Sequence, residues 1–230
     1  MRRITLHDRR ETAAHAPIKY SVNQNAMAER KKAKTQRELI IAKSSTLFWE
    51  KGYAETSMRD IANACGFRPA NIYNFFDSKQ SILFEILHQE MMEIVSPIKH
   101  LKDDESINPV EGLRQLMENH VKLTLGEKST SKLLFDVGLK NLTPSNRKKI
   151  IKLRDDYDEI GVAIIRRGIK AGIFSGILDE KIAVFSIASI IARSRIWYSP
   201  KGKYTVEEII DFMFNFAMRG LGAGSLIDAK

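Results

Sequence analysis

The stretch TSMRDIANACGFRPANIYNFFDSK, residues 56–79, contains two short helical patterns with only three residues between them. In the first, Ser57 is a good N-cap, apolar or small residues follow at helical spacing, and Gly66 ends the helix. Pro69 opens the second pattern, because its fixed φ suits the first helical position. Two helices joined by so short a turn predict a helix-turn-helix, whose second helix can lie in the major groove of DNA.

The solvent side of this motif carries residues of the kinds that contact DNA. Arg59 points outward from the first predicted helix, and Asn71 and Asn74 point outward from the second. Asparagine can hydrogen-bond adenine in the major groove, and Tyr and Lys side chains can contact phosphate oxygens. The sequence therefore predicts that double-stranded DNA binds at this motif.

The distribution of charge also favours an anionic partner. The 230 residues carry a formal net charge of +9. Residues 1–79 contain 15 Lys and Arg against 8 Asp and Glu, whereas residues 80–230 contain 22 against 20. The positive field is thus concentrated around the helix-turn-helix, where DNA phosphates would lie.

Composition excludes several other classes of protein. Cys65 is the single cysteine, so neither an intrachain disulfide nor a multi-cysteine zinc site can form. No apolar run approaches the roughly 18 residues that a membrane span needs. The five histidines show no metal-ligand spacing. We therefore expect a cytoplasmic protein that contacts no membrane, needs no metal or cofactor, and is not an enzyme.

The remaining sequence is helical as well, which predicts an all-α chain. Pro109 and Pro144 stand at helix starts, and Gly172 marks a helix end. The predicted helices cover residues 35–51, 57–65, 69–75, 78–101, 109–126, 128–140, 144–171, 179–198 and 206–221. The predicted parts are a basic disordered tail (1–34), a helix-turn-helix domain (35–80), an effector-binding and dimerisation domain (81–222) and a C-terminal tail (223–230). Met1 and Met27 remain alternative starts.

Three segments of the N-terminal part match one known pattern of helices. They are LIIAKSSTLF (39–48), GYAETSMRDIANACG (52–66) and NIYNFFDSKQSIL (71–83). Together they resemble the TetR family of bacterial one-component transcription regulators. The resemblance implies an all-α chain that binds a palindromic operator as a homodimer. It also implies a C-terminal helical domain that binds a small-molecule effector and forms the dimer.

The resemblance also implies roles by position. The implied phosphate contacts come from Thr56, Ser57, Tyr73 and Lys79, and the implied base or groove contacts from Ala70, Asn71 and Asn74. Two residues depart from the family pattern, because Arg68 stands where a capping Ser is common and Ala70 replaces a frequent Gly. Arg68 is therefore a candidate phosphate or base contact instead of a cap.

A helical sensor domain needs an apolar cavity with a few polar anchors. The candidate lining residues are Phe84, Met91, His120, Phe135 and Tyr157, and the candidates for binding an anionic effector are Arg166 and Arg193. Each has an ordinary alternative, because aromatic and Met side chains fill cores, and arginines extend along surfaces with the charge in water.

The last two long predicted helices carry more apolar surface than one monomer core requires. We therefore expect them to pair around a two-fold axis and form the dimer interface. The candidate interface residues are Phe185, Ile190, Phe212, Met213 and Phe216.

The segment RSRIWYSPKGKYTVEEI, residues 193–209, is similar to a stretch of those family members that respond to acyl-coenzyme A thioesters. We expect a repressor released by a small hydrophobic or anionic effector, with an acyl-CoA as a candidate. Two alternatives stay open: an effector-independent architectural DNA-binding protein, whose C-terminal domain would lack a cavity, and a helical enzyme or carrier, which needs a catalytic constellation. The effector, the operator and the direction of the response stay open.

Overall fold

A computed structural model describes residues 18–126, 139–176 and 179–223, and within them the chain is all-α, as predicted. The chain divides into two compact units, residues 1–39 and 40–230. No helix of the described residues is long and apolar enough to cross a bilayer. The helices are α1 Ile18–Glu50, α2 Met58–Cys65, α3 Pro69–Tyr73, α4 Lys79–Val95, α5 Pro109–Leu125, α6 Pro144–Lys170, α7 Glu180–Trp197 and α8 Val206–Gly220.

The first helix begins earlier than the sequence predicts. The predicted tail has no regular structure before residue 35, whereas α1 begins at Ile18. Residues 27–34 are Met, Ala, Glu, Arg and Lys only, which are strong helix formers even without an apolar face. Amphipathic spacing identifies only helices that have an apolar face, and the backbone hydrogen bonds of a helix form without one. The prediction therefore differs from the structure over residues 18–34, and residues 1–17 lie outside the described chain.

The fourth helix is shorter than predicted. One helix is expected over residues 78–101, but α4 ends at Val95 and a 3₁₀ segment, Ser96–Lys102, follows. Pro97 explains the change, because it lacks an N–H and its ring clashes with the preceding turn of an α-helix. Of the helix predicted over residues 128–140, only a final 3₁₀ turn, Leu139–Asn141, lies within the described chain.

The C-terminal helices pack closely around one hydrophobic core. Helix α4 packs on α6, and α5 packs on α6, α7 and α8. Gly161 allows α6 and α7 to approach, since a Cβ there would lie only 2.8 Å from a methyl group of Val184. Gly168 likewise leaves space for the turn after α6, where the ring of Phe174 is 2 % exposed.

We predict that Gly168→Ala destabilises the protein. A Cβ at Gly168 would lie 2.1 Å from the ring of Phe174, which is buried, so the ring or the backbone must shift. The expected loss of unfolding free energy is about 1–3 kcal/mol, as for other overpacked sites. Urea unfolding would measure it.

Gly112→Ala is the matched control. Its Cβ would meet the Ile164 side chain at an ordinary 3.5 Å. Because alanine favours a helix interior over glycine by about 1 kcal/mol, this variant should be as stable as the parent or more so. Equal stability of the two variants would contradict the packing described for Phe174.

Candidate nucleic-acid interface and effector cavity

The turn between α2 and α3 is built by caps at both of its ends. Ser57 and Asp60 form a capping box at the start of α2, with the Asp60 N–H donating to Ser57 Oγ at 3.1 Å. Gly66 follows α2 with a positive φ of 69°, and the Phe67 N–H turns back to the Ala62 carbonyl at 2.8 Å. Pro69 then begins α3. These contacts confirm the helix-turn-helix that the sequence predicts.

The outward face of α3 brings together most of the predicted DNA-contacting residues. Ile72 is fully buried and anchors the helix on the core. The exposed residues on the other side are Arg68, Ala70, Asn71, Tyr73 and Asn74. Arg68 makes no side-chain cap, so its guanidinium extends from the start of α3. Arg59 is exposed on α2.

Thr56 and Ser57 are poorly placed for the predicted phosphate contacts. Thr56 is 1 % exposed, and its hydroxyl donates to the Gly52 carbonyl at 2.8 Å. Ser57 is exposed, but its hydroxyl and its backbone N–H both donate to the Asp60 carboxylate, at 2.7 and 2.8 Å. A phosphate oxygen only accepts hydrogen bonds, so neither hydroxyl has a donor left for it. In this conformation both residues hold the motif together.

The Lys79 ammonium group makes hydrogen bonds within the protein. Its Nζ donates to the carbonyl oxygens of Tyr53 at 2.6 Å and Ala54 at 3.1 Å, and lies 4.4 Å from the centroid of the Tyr53 ring. Burial lowers the pKa of Lys79, with Glu55 opposing that effect. Two of its three ammonium donors are therefore used to join the start of α4 to the turn before α2. The predicted phosphate contact can draw only on the third.

A cavity of about 500 Å³ lies in the C-terminal helices. Three of the predicted pocket residues line it, namely Met91, His120 and Tyr157. The remaining lining residues are Ile94, Leu139, Arg154, Asp158, Phe185, Ala188, Ser189 and Ala192. The wall is mostly apolar, as is usual for sites that bind small molecules.

The other predicted pocket residues do not line this cavity. Phe84 lies two turns before Met91 on α4, about 10 Å away along the axis, and its ring contacts His88. Arg166 is exposed and pairs with Glu180, Nε to Oε1 at 3.3 Å. Arg193 is exposed and does not line the cavity, although its neighbour Ala192 does. Phe135 lies outside the described residues.

Helical spacing could have identified the lining residues that the sequence analysis missed. Arg154, Tyr157 and Asp158 stand at i, i+3 and i+4 on α6. On α7 the spacing i, i+3, i+4, i+7 joins Phe185 to three small residues, Ala188, Ser189 and Ala192. Small residues that face an apolar partner helix leave space between the two helices. Small residues that recur at i+3, i+4 and i+7 are therefore the signal of a cavity in the sequence.

His120 and Tyr157 form a polar pair on the buried wall of the cavity. The His120 Nδ1 lies 3.0 Å from the Tyr157 hydroxyl, and the rings meet edge to face with centroids 5.2 Å apart. They are 9 % and 5 % exposed. Burial lowers the pKa of His120 to about 4 and raises that of Tyr157. Both side chains are therefore neutral at pH 7.

The charged lining residues stand nearer to solvent. Arg154 is exposed and Asp158 is half-buried on the same face of α6. Burial raises the pKa of Asp158, whereas Arg154 and Lys181 lower it. The cavity thus has a neutral polar pair on its buried side and two charged groups of opposite sign on its exposed side.

Two family models cover most of the chain. Residues 40–86 match the model of bacterial regulatory proteins of the tetR family, and residues 106–221 match that of a tetracyclin repressor-like C-terminal domain. The chain belongs to the tetR family. Its helix-turn-helix and its C-terminal helices are the two domains of a DNA-binding transcriptional regulator.

Individual tetR-family relatives are similar over most of their length. The repressor KstR2 of Rhodococcus jostii is 23% identical over 189 residues, 82% of this chain and 92% of the relative. PfmR from Thermus thermophilus is 33% identical, with a TM-score of 0.70 over 79% of this chain and 98% of that one. AibR in complex with isovaleryl coenzyme A and operator DNA is 25% identical, with a TM-score of 0.69 over 79% and 97%.

The cavity of this tetR-family member is connected to its DNA-binding domain by side chains. Leu139, a lining residue, belongs to the 3₁₀ turn Leu139–Asn141. Arg147 Nε donates to the Leu139 carbonyl at 3.0 Å, and Gln80 Nε2 donates to the Asn141 carbonyl at 2.7 Å. Gln80 is next to Lys79, which holds the turn before α2. Two adjacent residues of α4 therefore contact the turn before α2 and the 3₁₀ turn that carries the lining residue Leu139.

Helices α7 and α8 expose a large apolar surface. Four of the five predicted interface residues are exposed: Phe185 at 45%, Ile190 at 41%, Phe212 at 72% and Phe216 at 56%. Ile182, Ile196 and Trp197 are exposed as well. Met213 is only 3 % exposed, because it points from α8 into the monomer core, so that residue is unavailable to a partner. Phe185 also lines the cavity.

We predict that Asn71→Ala changes which DNA sequences are bound. If Asn71 makes a bidentate contact to a base, its loss should weaken operator binding by about 1–3 kcal/mol and relax the preference at one position. Fluorescence anisotropy with the operator and with single-base variants would measure both effects.

Asn63→Ala is the matched control, because this side chain is exposed on α2 and lies outside α3. It should weaken all sequences alike or not at all. An Asn71→Ala protein that keeps the parent affinity and preference would show that this face of α3 does not read bases.

Proposed function

We propose that this chain is a transcriptional repressor that binds a palindromic operator as a homodimer in the cytoplasm and is released by an acyl-CoA thioester. The observation that carries the proposal is the cavity of about 500 Å³ in the C-terminal domain. An architectural DNA-binding protein would have no use for it. Its volume lies within the range of about 300–1,000 Å³ that small-molecule sites occupy.

The lining of the cavity suits an acyl chain. Met91, Ile94 and Leu139 offer aliphatic surface, and Ala188 and Ala192 leave room beside it. A coenzyme A group carries several phosphate charges, which are costly to bury in such a wall. We therefore infer that the acyl group occupies the cavity and the coenzyme A group stays on the solvent side, where Arg154 can pair with a phosphate.

Similar proteins support the same class of effector. AibR was crystallised with isovaleryl coenzyme A and operator DNA, and it is 25% identical to this chain over most of its length. KstR2 is named a transcriptional repressor. The similarity of residues 193–209 to acyl-CoA-responsive members points the same way.

The mechanism we propose is a shift between two conformations. An effector lowers operator affinity only to the extent that it binds the DNA-incompetent conformation more tightly. Helix α4 is suited to transmit this difference, because Met91 and Ile94 line the cavity while Gln80 and Lys79 hold the Asn141 carbonyl and the turn before α2. The response requires no chemical reaction.

We predict that octanoyl-CoA or isovaleryl-CoA weakens operator binding at least about tenfold, a coupling of about 1.4 kcal/mol. Free coenzyme A and free octanoate at the same concentration should have little effect. The operator would first be recovered from a random DNA pool, and its affinity measured by anisotropy with and without each compound.

Ala188→Phe is the control for the location of the effector. The larger side chain takes up part of the cavity from a half-buried lining position on α7, outside the helix-turn-helix. This variant should bind the operator as the parent does but lose the response to thioesters. If no thioester changes operator affinity, the proposed effector class is wrong; an unchanged response in Ala188→Phe would place the effector elsewhere.

We also predict that Phe216→Asp produces a monomer with sharply reduced operator affinity. Phe216 is 56% exposed on α8, so a charge there need not disturb the monomer core. At a two-fold interface it would be buried against apolar groups of the second copy, which is unfavourable. Sedimentation velocity would give the oligomeric state, and anisotropy the affinity.

Ser145→Asp is the matched control, since it places the same charge on an exposed position near the start of α6. That variant should remain a dimer. A parent protein that is monomeric at micromolar concentration, or a Phe216→Asp protein that stays dimeric, would remove this interface from the proposal.

A further inference from the structure

We propose that the His120–Tyr157 pair is a recognition subsite for a neutral oxygen, a ketone or hydroxyl group carried by the acyl chain of the effector. The inference deepens the proposed function and rests on it for the identity of the thioester. It concerns the buried side of the cavity, which a plain hydrocarbon chain would fill without using either polar group.

The first argument is the hydrogen-bonding capacity of the pair, which does not depend on the histidine tautomer. If His120 Nδ1–H donates to Tyr157, the Tyr157 hydroxyl hydrogen remains free; if Tyr157 donates to Nδ1, the Nε2–H remains free. In either arrangement one donor and at least one acceptor remain. Among the described residues, no further hydrogen bond satisfies them.

The second argument is the location of the pair. Both side chains line the cavity and are at least nine-tenths buried, and their neighbours in the wall include Met91, Ile94 and Ala192. Water or a ligand in the cavity is therefore the natural partner for the remaining donor. A saturated chain that displaces such water leaves the donor unsatisfied, whereas a ketone or hydroxyl oxygen replaces the lost hydrogen bond.

The third argument is charge, which favours a neutral oxygen over a carboxylate. The histidine of the pair is uncharged at neutral pH because of its burial, so it offers no positive charge to a buried anion. The charged lining residues are Arg154 and Asp158, and they stand on the more exposed side. The cavity thus divides its polar groups between a charged end for the coenzyme A side and a neutral end for the chain.

The test compares thioesters that differ only on the chain: octanoyl-CoA, its 5-oxo, 6-oxo and 7-oxo derivatives, and the CoA monothioester of octanedioic acid. Binding to the full-length protein would be measured by isothermal titration calorimetry. At least one oxo derivative should bind about tenfold more tightly than octanoyl-CoA, as expected when a buried donor would otherwise stay unpaired. The terminal carboxylate should bind more weakly than the oxo chain.

A double variant assigns the preference to the pair. Each side chain alone keeps a donor, because Tyr157 has an O–H and neutral His120 has an N–H, so both are replaced. Tyr157→Phe/His120→Phe keeps two aromatic rings and should reduce the oxo preference to less than about threefold while octanoyl-CoA still binds. Ser186→Ala, at an exposed position of α7 outside the lining, should keep the preference. Circular dichroism checks folding, and Tyr157→Phe/His120→Leu is the substitute if the first double variant fails to fold.

The outcomes separate this inference from the proposed function. If octanoyl-CoA and all oxo chains bind equally, the inference is overturned and the acyl-CoA effector stands. The same holds if the double variant keeps the oxo preference, or weakens octanoyl-CoA and the oxo chains equally because the thioester carbonyl is the partner. If no thioester binds, that effector falls, and the subsite is decided by the CoA-free pair 4-methylcyclohexanone and toluene. A preference for the ketone that the double variant abolishes supports the subsite. A preference that the double variant keeps, equal binding of both compounds, or binding of neither overturns it.

Discussion

The burial of helix α4 is the constraint on which the rest of the structure depends. Ile82 and Leu83 near its start are fully buried in the same hydrophobic core as Ile61 and Ile72 of the helix-turn-helix. Met91, nearer its end, belongs to that core as well and also lines the cavity. Truncating a buried Leu or Ile typically costs about 2–5 kcal/mol, so the burial of α4 is a large contribution to the stability of the fold. In its polar first turn, Lys79 adds a hydrogen bond to the turn before α2, and Gln80 adds one to the 3₁₀ turn Leu139–Asn141.

The helices whose ends carry a chemical signal could be predicted from the sequence. Ser57, Gly66 and Pro69 delimit α2 and α3, and Asn108 caps α5 as its position before Pro109 suggests. The end of α4 carries such a signal too, in Pro97, but the apolar spacing continues beyond it and favours a longer helix. The start of α1 carries none, because a helix without an apolar face leaves no period in the sequence.

The candidate sites were predictable to the extent that a residue's role depends on its own helix. Asn71 and Asn74 follow from the exposed face of α3, whereas Lys79 bonds to Tyr53, a contact across 26 residues that spacing cannot show. Charge alone suggests Arg166 and Arg193 as pocket residues, yet charged side chains are mostly exposed to water and seldom buried. His120 and Tyr157 lie 37 residues apart and meet only when α5 packs on α6. That convergence of two helices is tertiary information.

The length of α4 has a mechanical consequence. Its 17 residues span about 25 Å at 1.5 Å each, with the cavity at one end and the contacts to the helix-turn-helix at the other. A tilt of about 5° around the cavity end moves the first turn by about 2 Å, which is enough to take a hydrogen bond out of range. In the proposed response the helix would act as a lever arm, because a small change in side-chain packing at the cavity would become a displacement of its first turn on the scale of base recognition.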